Sequence, residues 1–126
     1  MHVLDWQVLP APQERRATTF DYVHQYASAA KHRLELTESG FAIRFEGRIH
    51  VYRNQCPHAG SPLDWQPGQF FDEDGQQLVC HTHGARFHPA TGAYLSGPSC
   101  PHGLARLPFT LDGDLLRVPA RIAGVQ

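Results

Sequence analysis

Apolar and polar residues alternate through most of the chain beyond residue 33, and alternation with a period of two marks half-buried strands. RLELT (33–37) is a short example. GFAIRFEGRIHVYRN, Gly40 to Asn54, holds two alternating runs that meet at Glu46-Gly47, which predicts a tight hairpin. FFDEDGQQLVC, Phe70 to Cys80, repeats the arrangement around Asp74-Gly75. LPFTLDGDLLRVPA, Leu107 to Ala120, repeats it around Asp112-Gly113. Short strands with turn signals at regular intervals predict an all-β domain, an antiparallel sandwich or barrel.

The first part of the chain has a different pattern. Residues 1–17 read as irregular, with Pro10 and Pro12 stopping any regular element. Between Thr19 and Arg33, Tyr22, Tyr26, Ala29 and Ala30 have a weak helical spacing, with Asp21 as a possible cap. The pattern therefore predicts a short helix, the alternative being an irregular arm lying over a sheet. Residues 1–33 are expected to form an N-terminal arm of the same domain that residues 34–126 build.

Composition narrows the function classes. A chain of 126 residues with 41% hydrophobic residues fits one domain with a core. It has no run of 18 apolar residues and no basic, then apolar, leader pattern. A formal charge of −1 argues against nucleic-acid binding, which needs clustered Lys and Arg. Three cysteines is an odd number, which suits a reduced, cytoplasmic setting better than a disulfide framework. Of the nine histidines, His2, His24, His32 and His50 read as ordinary surface residues.

The other histidines and the cysteines are concentrated. CPHAGSPLD contains Cys56 and His58, and CHTHGARFH contains Cys80, His81, His83 and His88. Residues 59–79 separate the two pairs, long enough for a hairpin that folds back, and each pair follows a predicted strand. Cys56, His58, Cys80 and His83 make a set of two thiolates and two imidazoles. Zinc accepts that set tetrahedrally. A [2Fe–2S] cluster accepts two cysteines on one iron and two histidines on the other. Each loop supplies one Cys and one His, which suits a two-iron cluster between loops better than a zinc finger. Cys100 and His102 could be read as a nucleophile pair or another half-site, but a cysteine in a neighbouring loop is the simpler reading.

Cys56-x-His58 followed by Cys80-x-x-His83 resembles the Rieske [2Fe–2S] signature. The flanks CPHAGSPLD and GARFHPATGAYLSGP, with its Thr91-Gly92 and Gly97-Pro98, are similar to the family as well, and the resemblance covers about Leu34 to Val118. It implies a Rieske-like β domain with a cluster-binding subdomain of two loops and one [2Fe–2S] cluster per chain. Cys56 and Cys80 would hold the inner iron, and His58 and His83 the outer iron near the surface. His81 falls in a variable position and is expected to be an exposed imidazole. His88 stands where an aspartate is common, so packing or solvent exposure is its default reading. Leu63, Trp65 and Phe87 would support the loops, and the docking rim would comprise Pro57, Ala59, Gly60, His81, Thr82, Gly97 and Pro98.

Respiratory members of the family join the loops by a disulfide, and the matching positions here are Ser61 and Thr82. Those members also hydrogen-bond the cluster sulfurs with Ser and Tyr hydroxyls, where this chain has Ala85 and Phe87. Fewer such bonds leave the reduced cluster less stabilised, so the potential should lie near the low end of the Rieske range, about −150 mV. Reduction adds negative charge beside the exposed imidazoles, so the potential should fall as pH rises above the oxidised-state histidine pKa.

The resemblance implies an electron carrier, a ferredoxin passing electrons from a flavoprotein reductase to a terminal oxygenase or similar enzyme. It would be a component of an oxidoreductase system rather than an enzyme by itself. The alternatives are a non-catalytic redox subunit of a larger reductase, such as NADH-dependent nitrite reductase, and a zinc-stabilised binding module.

Overall fold

The computed structural model describes residues 1–27, 33–57, 60–64 and 66–124. Among them are nine strands and no helix: β1 (His2–Pro10), β2 (Ala17–Ala27), β3 (Arg33–Phe45), β4 (Arg48–Arg53), β5 (Leu78–Val79), β6 (Arg86–Phe87), β7 (Tyr94–Ser96), β8 (Thr110–Asp112) and β9 (Leu115–Ala123). One sheet runs β1-β9-β2-β3-β4, with β8 also paired to β9, and β5-β6-β7 form a small second sheet. The pairings are antiparallel except for a short parallel contact of β2 with β9 at residues 23–25 and 121–123. This is the all-β architecture expected from the alternation.

The first and third hairpins form where the turn signals place them. Phe45 pairs with Arg48 across Glu46 and Gly47, both at positive φ (51° and 81°), the left-handed turn that joins two twisted strands without splaying them. Asp112 pairs with Leu115 across Gly113 and Asp114. The segment around Asp74-Gly75 is looser: Phe71 bridges Leu78, and Asp72 Oδ1 accepts from the Gln76 and Gln77 amides.

Two expectations for the N-terminal part are corrected. Residues 2–10 are a strand, β1, paired along β9; Pro10 and Pro12 bound it rather than prevent it. Residues 17–27 are a strand, not a helix, paired with β3 from Ala17↔Ile43 to Ala27↔Arg33. Tyr22 and Tyr26 are four apart, a spacing that puts them on one face of a strand as well as of a helix. Phe20, Tyr22, His24 and Tyr26 together have the period of a strand, and their aromatic rings and the neighbouring threonines favour it. The rest of the expected helix, residues 28–32 with His32, lies outside the described residues.

The β3–β4 hairpin divides the interior in two. Phe41, Ile43, Phe45 and Tyr52 point to one side, where they pack with Leu63, Phe70, Leu78, Phe87, Leu104 and the two cysteines Cys56 and Cys80. Phe41 stacks on Phe70 with ring centroids 4.0 Å apart. Ala42, Ile49 and Val51 point to the other side, toward Phe20, Tyr22, Leu116, Val118 and Ile122. The first of these cores underlies the candidate site.

Candidate metal centre

β4 runs directly into the first Cys/His loop, and β5 runs directly into the second. The two loops fold alike. In the first, the Cys56 carbonyl accepts the Gly60 amide at 2.7 Å, and the Cys56 amide donates to the Ser61 carbonyl at 2.7 Å. In the second, the Cys80 carbonyl accepts the Gly84 amide and the Cys80 amide donates to the Ala85 carbonyl, both at 2.8 Å. Gly60 and Gly84 take the matching left-handed conformation, φ 71° and 81°. A side chain at either would be strained there, so glycine four residues after each cysteine is what lets the loop close.

The loops are also tied to each other. The His81 amide donates to the Leu63 carbonyl at 3.1 Å, and the Ser61 and Thr82 hydroxyls lie 3.2 Å apart. The positions that resemble a disulfide pair thus hold a hydrogen bond. Behind the loops, Cys56 and Cys80 are fully buried in one core with Leu63, Ala85 and Phe87. His83 and His81 are exposed. Two buried cysteines, one on each of two equivalent loops, with His83 outside on the second, fit a cluster with thiolates on one iron and imidazole on the other. His58, Ala59 and Trp65 lie outside the described residues, so the fourth expected ligand is not placed. Among the described residues no three of His, Cys, Asp and Glu converge.

A third segment closes the site. Gly97 (φ 95°) runs so near the second loop that a Cβ there would lie 2.7 Å from the Gly84 carbonyl oxygen. The Tyr94 hydroxyl donates to the Gly97 carbonyl and holds this turn. Cys100, half-buried, packs against the core that contains Cys56 and Cys80, and its Sγ lies 3.5 Å from the Pro98 carbonyl. His88 is set by packing: its Nδ1 accepts the Ala90 amide, and its ring meets Phe45 edge-on.

Two polar groupings in the structure were not legible as such from the sequence. Asn54, buried, brackets the first loop: its Oδ1 accepts the Leu63 amide and its Nδ2 donates to Asp64, both at 2.8 Å. The second centres on His24, which is not a surface residue but 1% exposed. Its Nδ1 meets Glu38 Oε1 and its Nε2 meets the Gly124 carbonyl, both at 2.7 Å. Both partners are acceptors, so satisfying both requires hydrogen on both ring nitrogens. Arg53 and Tyr26 donate to the other Glu38 oxygen. Burial alone would raise the Glu38 pKa, but the hydrogen bonds from Tyr26 and His24 and the Arg53 charge outweigh it and hold the carboxyl below its ordinary range. Arg53 also lines a cleft of about 400 Å³ beside Cys56, Gln55 and His102. His2 is exposed as expected, and His50 is half-buried with its pKa lowered by burial and by Arg106, Arg48 and His88.

The family model for the Rieske [2Fe–2S] domain matches residues 17–108. The chain belongs to the Rieske [2Fe–2S] domain family. A Rieske domain carries a [2Fe–2S] cluster and transfers electrons, and the expected family and cofactor are thereby borne out. No curated protein matches the chain. Among solved structures, the fold is similar to the ferredoxin of carbazole 1,9a-dioxygenase from Nocardioides aromaticivorans IC177, at 18% identity and a TM-score of 0.57, over 89% of this chain and 96% of that one. It is also similar to a chain of the reduced complex between oxygenase and ferredoxin in carbazole 1,9a-dioxygenase, at 12% identity and a TM-score of 0.65. There the match covers 93% of this chain but 28% of the other, so this Rieske chain spans under a third of such complex-derived chains. At these identities the likeness is one of fold.

Proposed function

We propose that this Rieske protein is a ferredoxin that carries electrons from a flavoprotein reductase to a terminal oxygenase in the cytoplasm. The observation that carries this reading is the pair of equivalent loops at one end of the fold, with Cys56 and Cys80 buried and His83 at the surface. Cys56 and Cys80 would hold one iron of the cluster, and His58 and His83 would hold the other. When bound, the cluster takes up and gives back one electron. Leu63, Phe87 and the two cysteine side chains keep water from its inner side, while His83 offers a short path to a partner's redox centre. The described rim residues Pro57, Gly60, His81, Thr82, Gly97 and Pro98 have no carboxylate, Lys or Arg among them, which suits a small, short-lived interface.

Support for the oxygenase as acceptor comes from the carbazole dioxygenase ferredoxin, nearly all of which this chain spans, and from complexes of such a ferredoxin with its oxygenase. Stopped-flow mixing of the reduced protein with a ring-hydroxylating oxygenase component from the same organism tests the reading. Rapid reoxidation of the protein with matching reduction of the oxygenase supports it. Transfer to a nitrite reductase but to no oxygenase contradicts it.

A further inference from the structure

Asn54 directly follows β4, two residues before Cys56, and it is only 8% exposed. Its backbone amide donates to the Ser39 carbonyl on β3 at 2.8 Å. Its side chain reaches the far end of the first loop instead of its own turn. Oδ1 accepts the Leu63 amide at 2.8 Å, and Nδ2 donates to Asp64 Oδ1 at 2.8 Å, with Ser39 Oγ at 3.4 Å. The amide orientation is determined by these partners, since a flipped amide would set N–H against N–H at Leu63 and oxygen against carboxylate at Asp64. Asp64 Oδ2 in turn accepts the Gly68 amide at 3.2 Å. The next link leaves the loop: the Leu63 carbonyl accepts the amide of His81, the residue after Cys80.

The chain of bonds therefore runs from the sheet, through Asn54, to both cysteine loops. We propose that Asn54 and Asp64 are positioning residues that fix the separation of the two loops, and so the geometry imposed on the cluster. This rests on the Rieske reading. A hydrophobic core holds Leu63 by its side chain, but packing alone does not orient its peptide groups. The polar bracket does, because leaving the buried Leu63 amide without its Asn54 partner is costly, while the half-buried Asp64 orients the Asn54 amide.

The bracket is reversible in chemistry, which makes it testable. In Asn54→Asp the new carboxylate still accepts the Leu63 amide, but its second oxygen faces the Asp64 oxygen with no hydrogen between them. In Asp64→Asn the link to Asn54 survives, while an amide N–H is turned toward the Gly68 amide or the Gly68 bond is lost. In the double variant Asn54→Asp/Asp64→Asn every bond can form: the Leu63 and Gly68 amides still donate, and donor and acceptor are exchanged between side chains 54 and 64 and at Ser39.

The test compares wild type, the two single variants and the double variant by iron release to a chelator and by EPR of the reduced protein. Asn54→Asp should release iron roughly tenfold faster, the scale on which residues supporting metal ligands act, and its g-values should shift or broaden. The double variant should return to within about a factor of two of wild-type release, with wild-type g-values. Wild-type behaviour of Asn54→Asp, or a double variant as labile as the single one, overturns the proposal. If Asn54→Asp is isolated empty, the double variant decides: a filled cluster supports the bracket and an empty one refutes it. A wild-type protein that never binds iron refutes the Rieske reading itself, before any variant is compared.

Discussion

Individual side chains decide which imidazole is a ligand and which is scenery. His81 and His83 are both exposed and two residues apart, but only His83 stands at the histidine position of the C-x-x-H box that the chain resembles, and is the expected ligand. Replacing His83 with Cys should leave the cluster bound, with the potential falling toward the all-cysteine value of about −400 mV. His81→Ala should leave the potential near that of the wild type; voltammetry of the two variants separates the assignments, and a large shift in His81→Ala with none in His83→Cys would reverse them. Away from the loops, Glu38→Gln should remove the anion that Arg53 pairs with and that His24 and Tyr26 hydrogen-bond, and destabilise the fold by about 1–3 kcal/mol. Thermal unfolding measures that loss. The sign of the pH dependence follows from the lowered Glu38 pKa. The folded state binds this proton less readily than the unfolded one, so the stabilisation is full above the unfolded carboxylate pKa and is lost as pH falls through the folded value. The Glu38→Gln variant should lack that part of the acid transition. His24 itself was hidden in the sequence because a lone histidine among aromatics in an alternating run does not reveal that its acceptors come from β3 and from Gly124, far along the chain.

Elements set where the loops stand. Gly97 is a tight point beside the second loop, because the Gly84 oxygen and the Ala85 Cα that a Cβ would meet, at 2.7 and 2.9 Å, are backbone atoms that cannot swing aside. Gly97→Ala should therefore cost about 1–3 kcal/mol by overpacking, and the strain falls on the second loop. Chemical denaturation of the apoprotein should register the loss, and unchanged stability would mean that the third segment yields freely. The hairpins β3–β4 and β8–β9 were legible because two-residue turns carry residue types that tolerate positive φ, and alternation around them fixes the register. β2 was less legible. Its defining feature is pairing with β3 along 11 residues, and the Tyr22–Tyr26 spacing alone does not distinguish strand from helix. β1 was missed for a related reason: its partner is β9, at the opposite end of the chain. In the site, the cysteine and histidine spacing was readable at once. The Asn54–Asp64 bracket was not, because a loop-spanning side-chain bond has no sequence period.

The molecule as a whole joins a β framework of two cores to one redox loop pair. The core beneath the loops is apolar, and Ala85 and Phe87, both fully buried, bring no side-chain donor to the cluster. The hydrogen bond between Ser61 and Thr82 leaves the loops linked without a covalent bridge. We therefore expect a midpoint potential of about −150 mV. Voltammetry of the loaded protein checks the value; a strongly positive potential contradicts it. The [2Fe–2S] cluster is expected to have mixed ligation, by Cys56, His58, Cys80 and His83. Low-temperature EPR of the dithionite-reduced protein tests it most directly. A rhombic signal with an average g-value below that of all-cysteine clusters is the predicted result. A silent sample with stoichiometric zinc and no iron would contradict it.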